Sequence, residues 1–292
     1  MRVSTVDLHS HTHFSDGELS PEELVDLAAA RGVRFLALTD HEALAGIARA
    51  QARARQRGVE LVPGIEINCH EREHGFADVH VVGLFLDPDN RQLAAFCERV
   101  KRQRIAQKRE MIRKLQKLGF AITFEEVAAL AGYSIGRPHI AQVLMRRYPQ
   151  RFPTTRSVFE AYIGRGKPAY ADREERVAIR DAVRLIRGAH GIAVLAHPGI
   201  SSPEGSEKLV QLFAAAGGQA VETRYAYDLI NGLSATQSRK LNHRFGKLAA
   251  KHGLLESGGS DFHGSIRKMI QLGSTAVPVT FVRRMKEALG LR

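Results

Sequence analysis

Cysteine is nearly absent. Cys69 and Cys97 are the only two, which excludes a disulfide framework and reads as free thiols in a reducing compartment. Long apolar runs are missing as well. Charges interrupt every stretch before it reaches the roughly 20 residues of a membrane span, so no membrane partner is expected. The opening MRVSTVDLHSHT turns polar too soon for a secretory signal, and a cytoplasmic location is the expectation. Acids are the scarcer charged class, 31 against 43 Lys and Arg, for a formal net charge of +12. That balance suits an anionic partner such as a nucleotide, a nucleic acid or a phosphate ester. No internal repeat or low-complexity tract is visible.

What is present has a rhythm. The 292 residues, 44% of them hydrophobic, are enough for one large α/β domain or for a domain with an insertion. VSTVDLH reads as a strand. Ser20-Pro21-Glu22-Glu23 opens a helix, with Ser20 as N-cap, Pro21 at the first helical position and Glu23 completing a capping box. VRFLALTDH, VELVPGIEIN and DVHVVGLFL are the next strands. Near-continuous apolar strands alternating with helices predict a parallel sheet or barrel. Between residues 91 and 187 helical signals take over. There, Arg99 to Lys117 carries nine basic residues against one acid, Glu110, over a single apolar stripe of Ile105, Ile112, Leu115 and Leu118. The βα pattern then returns with GIAVLAHP, QAVETRY and LLESGGSDFHG. The prediction is a barrel domain over 1–90 and 188–292, with a basic helical insertion over 91–187 that serves as a substrate-binding subdomain.

Thirteen histidines are distributed unevenly. His9 and His11 follow the first strand and His41 ends the second. Glu66 ends the third and His80 lies in the fourth. His197 ends a later strand, and Asp261 and His263 end another. In a barrel of parallel strands the C-terminal ends converge on one face, where active sites sit. Residues i and i+2 of a strand share a side, so His9 with His11, and Asp261 with His263, can each grip one ion. Imidazoles and carboxylates without cysteine suit Mn, Fe or Zn. The set exceeds what one ion takes, so two or three ions sharing Glu66 and Asp261 are expected. His13, His70, His74, His190, His243 and His252 read as loop or surface residues.

These motifs resemble the polymerase-and-histidinol-phosphatase (PHP) family of phosphoesterases. The resemblance rests on His9 and His11, Asp16 in SDG, His41 in TDH, Glu66, His80, His197 in AHP, and Asp261 and His263 in SDFH, all in the family's order. It implies a distorted (β/α)7 barrel with three divalent ions, most often Mn2+, with Fe2+ or Zn2+ as alternatives. The first ion would take His9, His11, Glu66 and Asp261. The second would take Glu66, His80 and His197, and the third Asp16, His41 and His263. Some family members have a histidine where this chain has Asp16. GRPH at Gly136 to His139 and GKPAY at Gly166 to Tyr170 resemble the stand-alone branch, which includes nucleoside 3′,5′-bisphosphate phosphatases and a 5′→3′ exonuclease on short RNA.

The implied reaction is hydrolysis of the 3′-phosphate of a nucleoside 3′,5′-bisphosphate. Two close ions acidify a bridging water, and the resulting hydroxide attacks phosphorus in line. Asp261, Glu66 and His197 are the expected catalytic set. The second phosphate needs an anchor, and Arg137 and His139, then Lys167 and Arg224, are the candidates, since guanidinium forks bind phosphate in a bidentate fashion. Tyr133 or Phe152 is a candidate for stacking on a base. The alternative is 5′→3′ exonuclease action on short 5′-phosphorylated RNA or DNA, which makes single-stranded nucleic acid a second expected partner. A non-catalytic module is disfavoured because every metal position is filled. No obligate protein partner is expected.

Overall fold

Among the described residues of the opening stretch, Val6–Asp7 form strand β1. The other strands are β2 (Phe35–Leu38), β3 (Glu60–Glu71), β4 (Phe76–Leu84), β5 (Ile192–Ala196), β6 (Ala220–Arg224) and β7 (Leu255–Gly258), and they lie side by side in that order. The structure is a computed structural model that describes residues 5–131, 133–172, 177–230, 232–267 and 269–291. Its residues fall into two compact units, Met1–Cys97 with Val177–Arg292, and Glu98–Arg176.

The sheet of the larger unit is mixed. β1, β2 and β3 run parallel, as do β5, β6 and β7, but β4 pairs antiparallel with both β3 and β5. The all-parallel expectation is therefore corrected at one strand. Four residues separate β3 from β4, three of them in the turn Arg72–His74. A parallel partner needs a crossover of a dozen or more residues, so this connection makes a hairpin. Glu66 likewise does not end its strand, because β3 runs on to Glu71 to pair with β4.

The two outer strands meet beyond their ends. Leu8 donates its N–H to Gly258 O (3.2 Å), Asp261 to His9 O (2.9 Å) and His11 to Phe262 O (2.9 Å), around a parallel bridge between Ser10 and Phe262. The seven strands thus nearly close into a (β/α)7 barrel.

Helices follow most strands. α1 (Pro21–Ala30) and α2 (Ile47–Arg57) follow β1 and β2. Ser20 caps α1 as the sequence predicts, accepting from Glu23 N while Glu23 reaches back to Ser20 N, an arrangement worth about 1 kcal/mol. α3 (Arg91–Lys117) starts in the larger unit and runs on into the smaller one. There it is followed by α4 (Phe124–Leu130), α5 (Arg137–Arg147) and α6 (Thr155–Val158), packed around Leu115, Phe120, Leu144, Phe152 and Ile163. Back in the larger unit come α7 (Ile179–Gly188), α8 (Pro198–Ser201), α9 (Glu207–Ala215), α10 (Tyr227–Ile230), α11 (Ala235–Lys251) and α12 (Val279–Ala288). Val177 bridges Cys69, and α7 packs on β3, β4 and β5, so residues 177–187 belong with the barrel. The helical unit is accordingly narrower than the span 91–187 read from the sequence.

The barrel is filled by alternate strand residues. Val6, Leu8, Val62, Val82, Val194 and Ala220 form one cluster with Phe281, Val282 and Met285 of α12. Further along two of the same strands, side chains of the same parity become polar: Glu66 follows Val62 on β3, and Glu222 follows Ala220 on β6. Apolar packing at one level and ionisable groups at the next place a site at one end of the barrel. No helix among the described residues is long and apolar enough to cross a membrane.

Candidate metal centre

The bridge between Ser10 and Phe262 organises the site. His9 and His11 flank Ser10, and Asp261 and His263 flank Phe262, so one pairing brings four ionisable side chains together. The backbone there is not regular strand: Asp261 has φ 55° and His197 has φ 26°, in the region that L-residues adopt only when their surroundings hold them there. The i, i+2 strand argument for Asp261 and His263 is therefore replaced by this bridge. Gly259 makes the approach possible, since a Cβ on it would lie 2.4 Å from His9 N.

Glu66 sits at the middle and divides its two oxygens. Oε1 lies 2.8 Å from His80 Nδ1 and 3.0 Å from His197 Nε2. Oε2 lies 3.3 Å from His9 Nε2, 3.2 Å from His11 Nε2 and 3.2 Å from His41 Nδ1. Asp261 is divided too. Its Oδ1 is 3.6 Å from His9 Nε2, 3.3 Å from His11 Nε2 and 3.4 Å from His263 Nδ1. Its Oδ2 accepts from Tyr225 Oη at 2.8 Å and from Arg267. Asp16, more than half exposed, places Oδ1 3.3 Å from His263 Nε2 and Oδ2 3.9 Å from His41 Nε2.

All nine residues expected as ligands are thus in one place. They form four overlapping groups whose ligand atoms lie within 4.8 Å of one another: His11, Asp16, His41 and His263; His9, His11 and Asp261; His9, Glu66 and His197; and His41, Glu66 and His80. His80 joins from the antiparallel strand. Because β4 runs backwards, its first half lies beside the ends of β3 and β5, with His80 opposite Asn68 and Ala196. Buried nitrogens without hydrogen bonds, His9 Nε2, His11 Nε2 and His263 Nε2, face this cluster. Orphaned imidazole nitrogens among carboxylates, with no thiolate, fit divalent ions of the Mn, Fe or Zn type.

The electrostatics follow from the crowding. Burial raises carboxylic acids, as it does Asp7 and Asp40. At Glu66 and Asp261 burial pulls the same way, but His41, His9 and His80 around the first, and His9, His11 and His263 around the second, hold both well below the carboxylate range. Burial disfavours a charged imidazole, yet Glu222, Glu66 and Asp261 hold His9 well above its ordinary value. Contacts with Asp261 and Glu66 likewise push His11 up to about 10. At His41 burial prevails and pulls it down to about 4.

Five supporting residues escaped the sequence reading. Glu222 accepts from His9 Nδ1 (2.9 Å) and from His197 N (2.6 Å), which turns His9 Nε2 inward as the atom available to an ion. His263 is oriented the same way by donating Nδ1–H to Asp261 O at 2.8 Å. Asp40 accepts from Thr12 N (2.7 Å) and Ser15 Oγ (2.6 Å). Asp7 accepts from Ser260 N (2.8 Å) and Gly273 N (2.7 Å). Tyr225 and Arg267 hold the second oxygen of Asp261. The signal for Glu222 was available, since a lone acid in an apolar strand rarely lacks a partner.

The expected phosphate anchors are divided between the two units. Arg137, His139 and Lys167 lie in the smaller unit. Arg137 stacks against Phe159 and Tyr170, at 5.3 and 5.8 Å from the ring centres. His139 Nδ1 accepts from Gly136 N (3.0 Å), so this ring caps α5 and keeps its proton on Nε2. Lys167 is exposed. Arg224, in the larger unit, donates Nη1–H to Thr223 O (2.9 Å) and lies 5.7 Å from the Phe281 ring. Of the stacking candidates, Phe152 is core, and Tyr133 lies under Lys101 at 4.3 Å.

Comparison with known proteins agrees with the geometry. The PHP domain model matches residues 7–167. A 3′,5′-nucleoside bisphosphate phosphatase of Chromobacterium violaceum is 37% identical over 265 residues, which is 89% of this chain and 88% of that one. A 5′-3′ exoribonuclease of Haemophilus influenzae is 33% identical over 94% of this chain and 97% of its own. A solved structure of a candidate metal-dependent phosphoesterase from Bifidobacterium adolescentis superposes with a TM-score of 0.80 at 27% identity, covering 98% of this chain and 96% of that one. Barrel and site together define a metal-dependent hydrolase of phosphoester bonds. The chain belongs to the PHP domain family.

Proposed function

We propose that the chain hydrolyses the 3′-phosphate of nucleoside 3′,5′-bisphosphates to a 5′-nucleotide and phosphate. The observation that carries the chemistry is the division of Glu66, one oxygen facing His80 and His197 and the other facing His9, His11 and His41. That is the arrangement of a carboxylate shared between ions. The substrate class rests on the relative from Chromobacterium violaceum, whose name carries that activity and which aligns with most of the chain.

In this reading three divalent ions, Mn2+ foremost, are held by His9, His11, Glu66 and Asp261; by Glu66, His80 and His197; and by Asp16, His41 and His263. Bound there, they supply the Lewis acidity that makes water nucleophilic at neutral pH and neutralises phosphoryl charge. The chain's own residues hold that arrangement. Glu222 and the carbonyl of Asp261 fix which nitrogens of His9 and His263 point inward. Tyr225 and Arg267 restrict Asp261 to one inward oxygen. Water oxygen joins phosphorus, the bond from phosphorus to the 3′ oxygen breaks, and the 3′ oxygen takes a proton. Arg137, His139, Lys167 and Arg224 are the candidate anchors for the 5′-phosphate by their chemistry. The reaction proceeds in the cytoplasm, which suits two buried cysteines that form no disulfide.

A second reading, 5′→3′ exonuclease action on short oligonucleotides, uses the same bond cleavage. The Haemophilus influenzae relative and the exposed Arg99, Arg102 and Arg109 along α3 favour it. The deciding experiment measures turnover of 3′,5′-bisphosphoadenosine and of a 5′-phosphorylated pentanucleotide by Mn2+-loaded protein. Faster turnover of the bisphosphate is expected. Much faster turnover of the oligonucleotide overturns the first reading in favour of the second.

A further inference from the structure

Directly behind His263, the residues Gly264–Arg267 form a single 3-10 turn. Glu18 braces it from two sides, donating its N–H to His263 O (3.2 Å) and accepting from Ser265 N (2.6 Å). Gly264 has φ 81°, and a Cβ on it would lie 2.6 Å from Glu18 Cβ, so glycine lets the turn and Glu18 approach this closely. Ile270 N closes the far side by donating to Arg267 O at 2.8 Å. Arg267 therefore stands on a backbone held in place.

Its guanidinium is only partly used. Among the described residues Arg267 donates through Nη1 alone, to Asp261 O (3.4 Å) and to Asp261 Oδ2. Nε–H and Nη2–H form the edge that pairs with two oxygens at once. They make no hydrogen bond among the described residues, and neither nitrogen is sealed from solvent. A guanidinium that served only to balance Asp261 would lay that edge on the carboxylate. Instead Tyr225 Oη shares Asp261 Oδ2 (2.8 Å), and the fork is left over in a side chain 34% exposed.

The position suits an anion at the centre. Asp261 turns Oδ2 to Arg267 and Oδ1 to His9, His11 and His263, so one carboxylate separates the guanidinium from the ligand nitrogens. Burial works against the guanidinium charge, but Asp261, Tyr225 and Asp16 more than offset it. Asp261 and Asp16 belong to different ligand groups, so Arg267 borders two of them. A permanent cation beside a centre that gathers cations opposes the ions by like charge. It favours a substrate that brings negative charge, and a phosphoryl group does so.

We propose that Arg267 is a catalytic residue that binds the phosphoryl group being transferred, with Nε–H and Nη2–H donating to two of its non-bridging oxygens. The proposal rests on the phosphoesterase reading above. Arg267 gives up no proton. It stabilises the charge on those oxygens while the bond from phosphorus to the 3′ oxygen breaks. Its hold on Asp261 is shared with Tyr225, so the two roles can be separated.

The test uses the full chain loaded with Mn2+, as wild type, Arg267→Ala and Arg267→Lys. On 3′,5′-bisphosphoadenosine, Arg267→Ala is expected to lose about 100-fold in kcat. Arg267→Lys keeps the charge without the fork and is expected to stay about tenfold below wild type. Added guanidinium ion is expected to restore part of the rate to Arg267→Ala and none to Arg267→Lys. Bound Mn2+, counted by atomic absorption, is expected to match wild type in both variants. Inorganic phosphate, titrated by calorimetry into the Mn2+-loaded protein, is expected to bind about tenfold more weakly to Arg267→Ala than to wild type. Loss of Mn2+ in proportion to the lost rate, or unchanged phosphate affinity, overturns the contact and leaves Arg267 acting only on Asp261. A kcat within about twofold of wild type in Arg267→Ala overturns it as well. If wild type hydrolyses no bisphosphate, the phosphoesterase reading fails, and the phosphate titration still decides whether Arg267 meets a phosphoryl group.

Discussion

At the scale of single residues, the centre depends on what stands behind the ligands. Asp261 has its outer oxygen held by Tyr225 and Arg267. Replacing it with Asn removes the inward charge, and turnover is expected to fall to background while the circular dichroism spectrum is retained. Glu222 touches no ion in the proposed arrangement, but it orients His9. Glu222→Gln is expected to weaken metal binding by about 10–100-fold with the fold intact, measured by calorimetric titration of Mn2+. Protons compete with metal. His9 and His11 are raised by their carboxylate neighbours, so both carry protons at pH 7 in metal-free protein. Mn2+ binding is therefore expected to release protons, with affinity falling as pH falls. Calorimetry in buffers of different ionisation enthalpy counts them. For the metal-free protein the linkage runs the other way. The contribution of protonated His11 is complete below its ordinary value of 6.5 and is lost as pH rises towards about 10, so stability should decline over that range.

At the scale of elements, much was legible and one strand was misread. The ligands stood out because histidine at several strand ends has no packing rationale. Ser20 and Glu23 announced α1, and the structure forms that cap. β4 read as another parallel strand because its apolar run, VHVVGL, has the composition of one. Its spacing from β3 said otherwise, since Arg72 to Gly75 cannot make a crossover. Glu222, Asp7 and Asp40 were not legible by spacing, because each supports residues distant in the chain: His9, Ser260 and Ser15. Arg224 reads as a candidate phosphate ligand because it stands at a strand end, and it is the last residue of β6, beside Phe281. The meeting of β1 and β7 carries its own prediction. A methyl group at Gly259 would collide with backbone atoms of His9. Gly259→Ala is expected to destabilise the protein by about 1–3 kcal/mol in urea denaturation and to lower its metal content, since His9 must move.

At the scale of the whole molecule, charge governs encounter. The formal net charge of +12 attracts any polyphosphorylated substrate, and the gain depends on ionic strength. An oligonucleotide touching several cations displaces more counterions than a bisphosphate does. The slope of log kcat/KM against log salt is therefore expected to be steeper for a pentanucleotide than for 3′,5′-bisphosphoadenosine. Equal slopes would mean that the basic face of α3 takes no part.

The bridge between Ser10 and Phe262 also sets a schedule. His9 and His11 leave the ribosome early, whereas Asp261 and His263 follow only after the helical unit and the last strand have been made. Contacts so distant in sequence form late in folding. A nascent chain consequently exposes loose imidazoles for most of its synthesis, able to bind whichever transition metal is at hand. The complete centre exists only after the barrel closes, which makes selection of the metal an event of maturation as well as of equilibrium affinity.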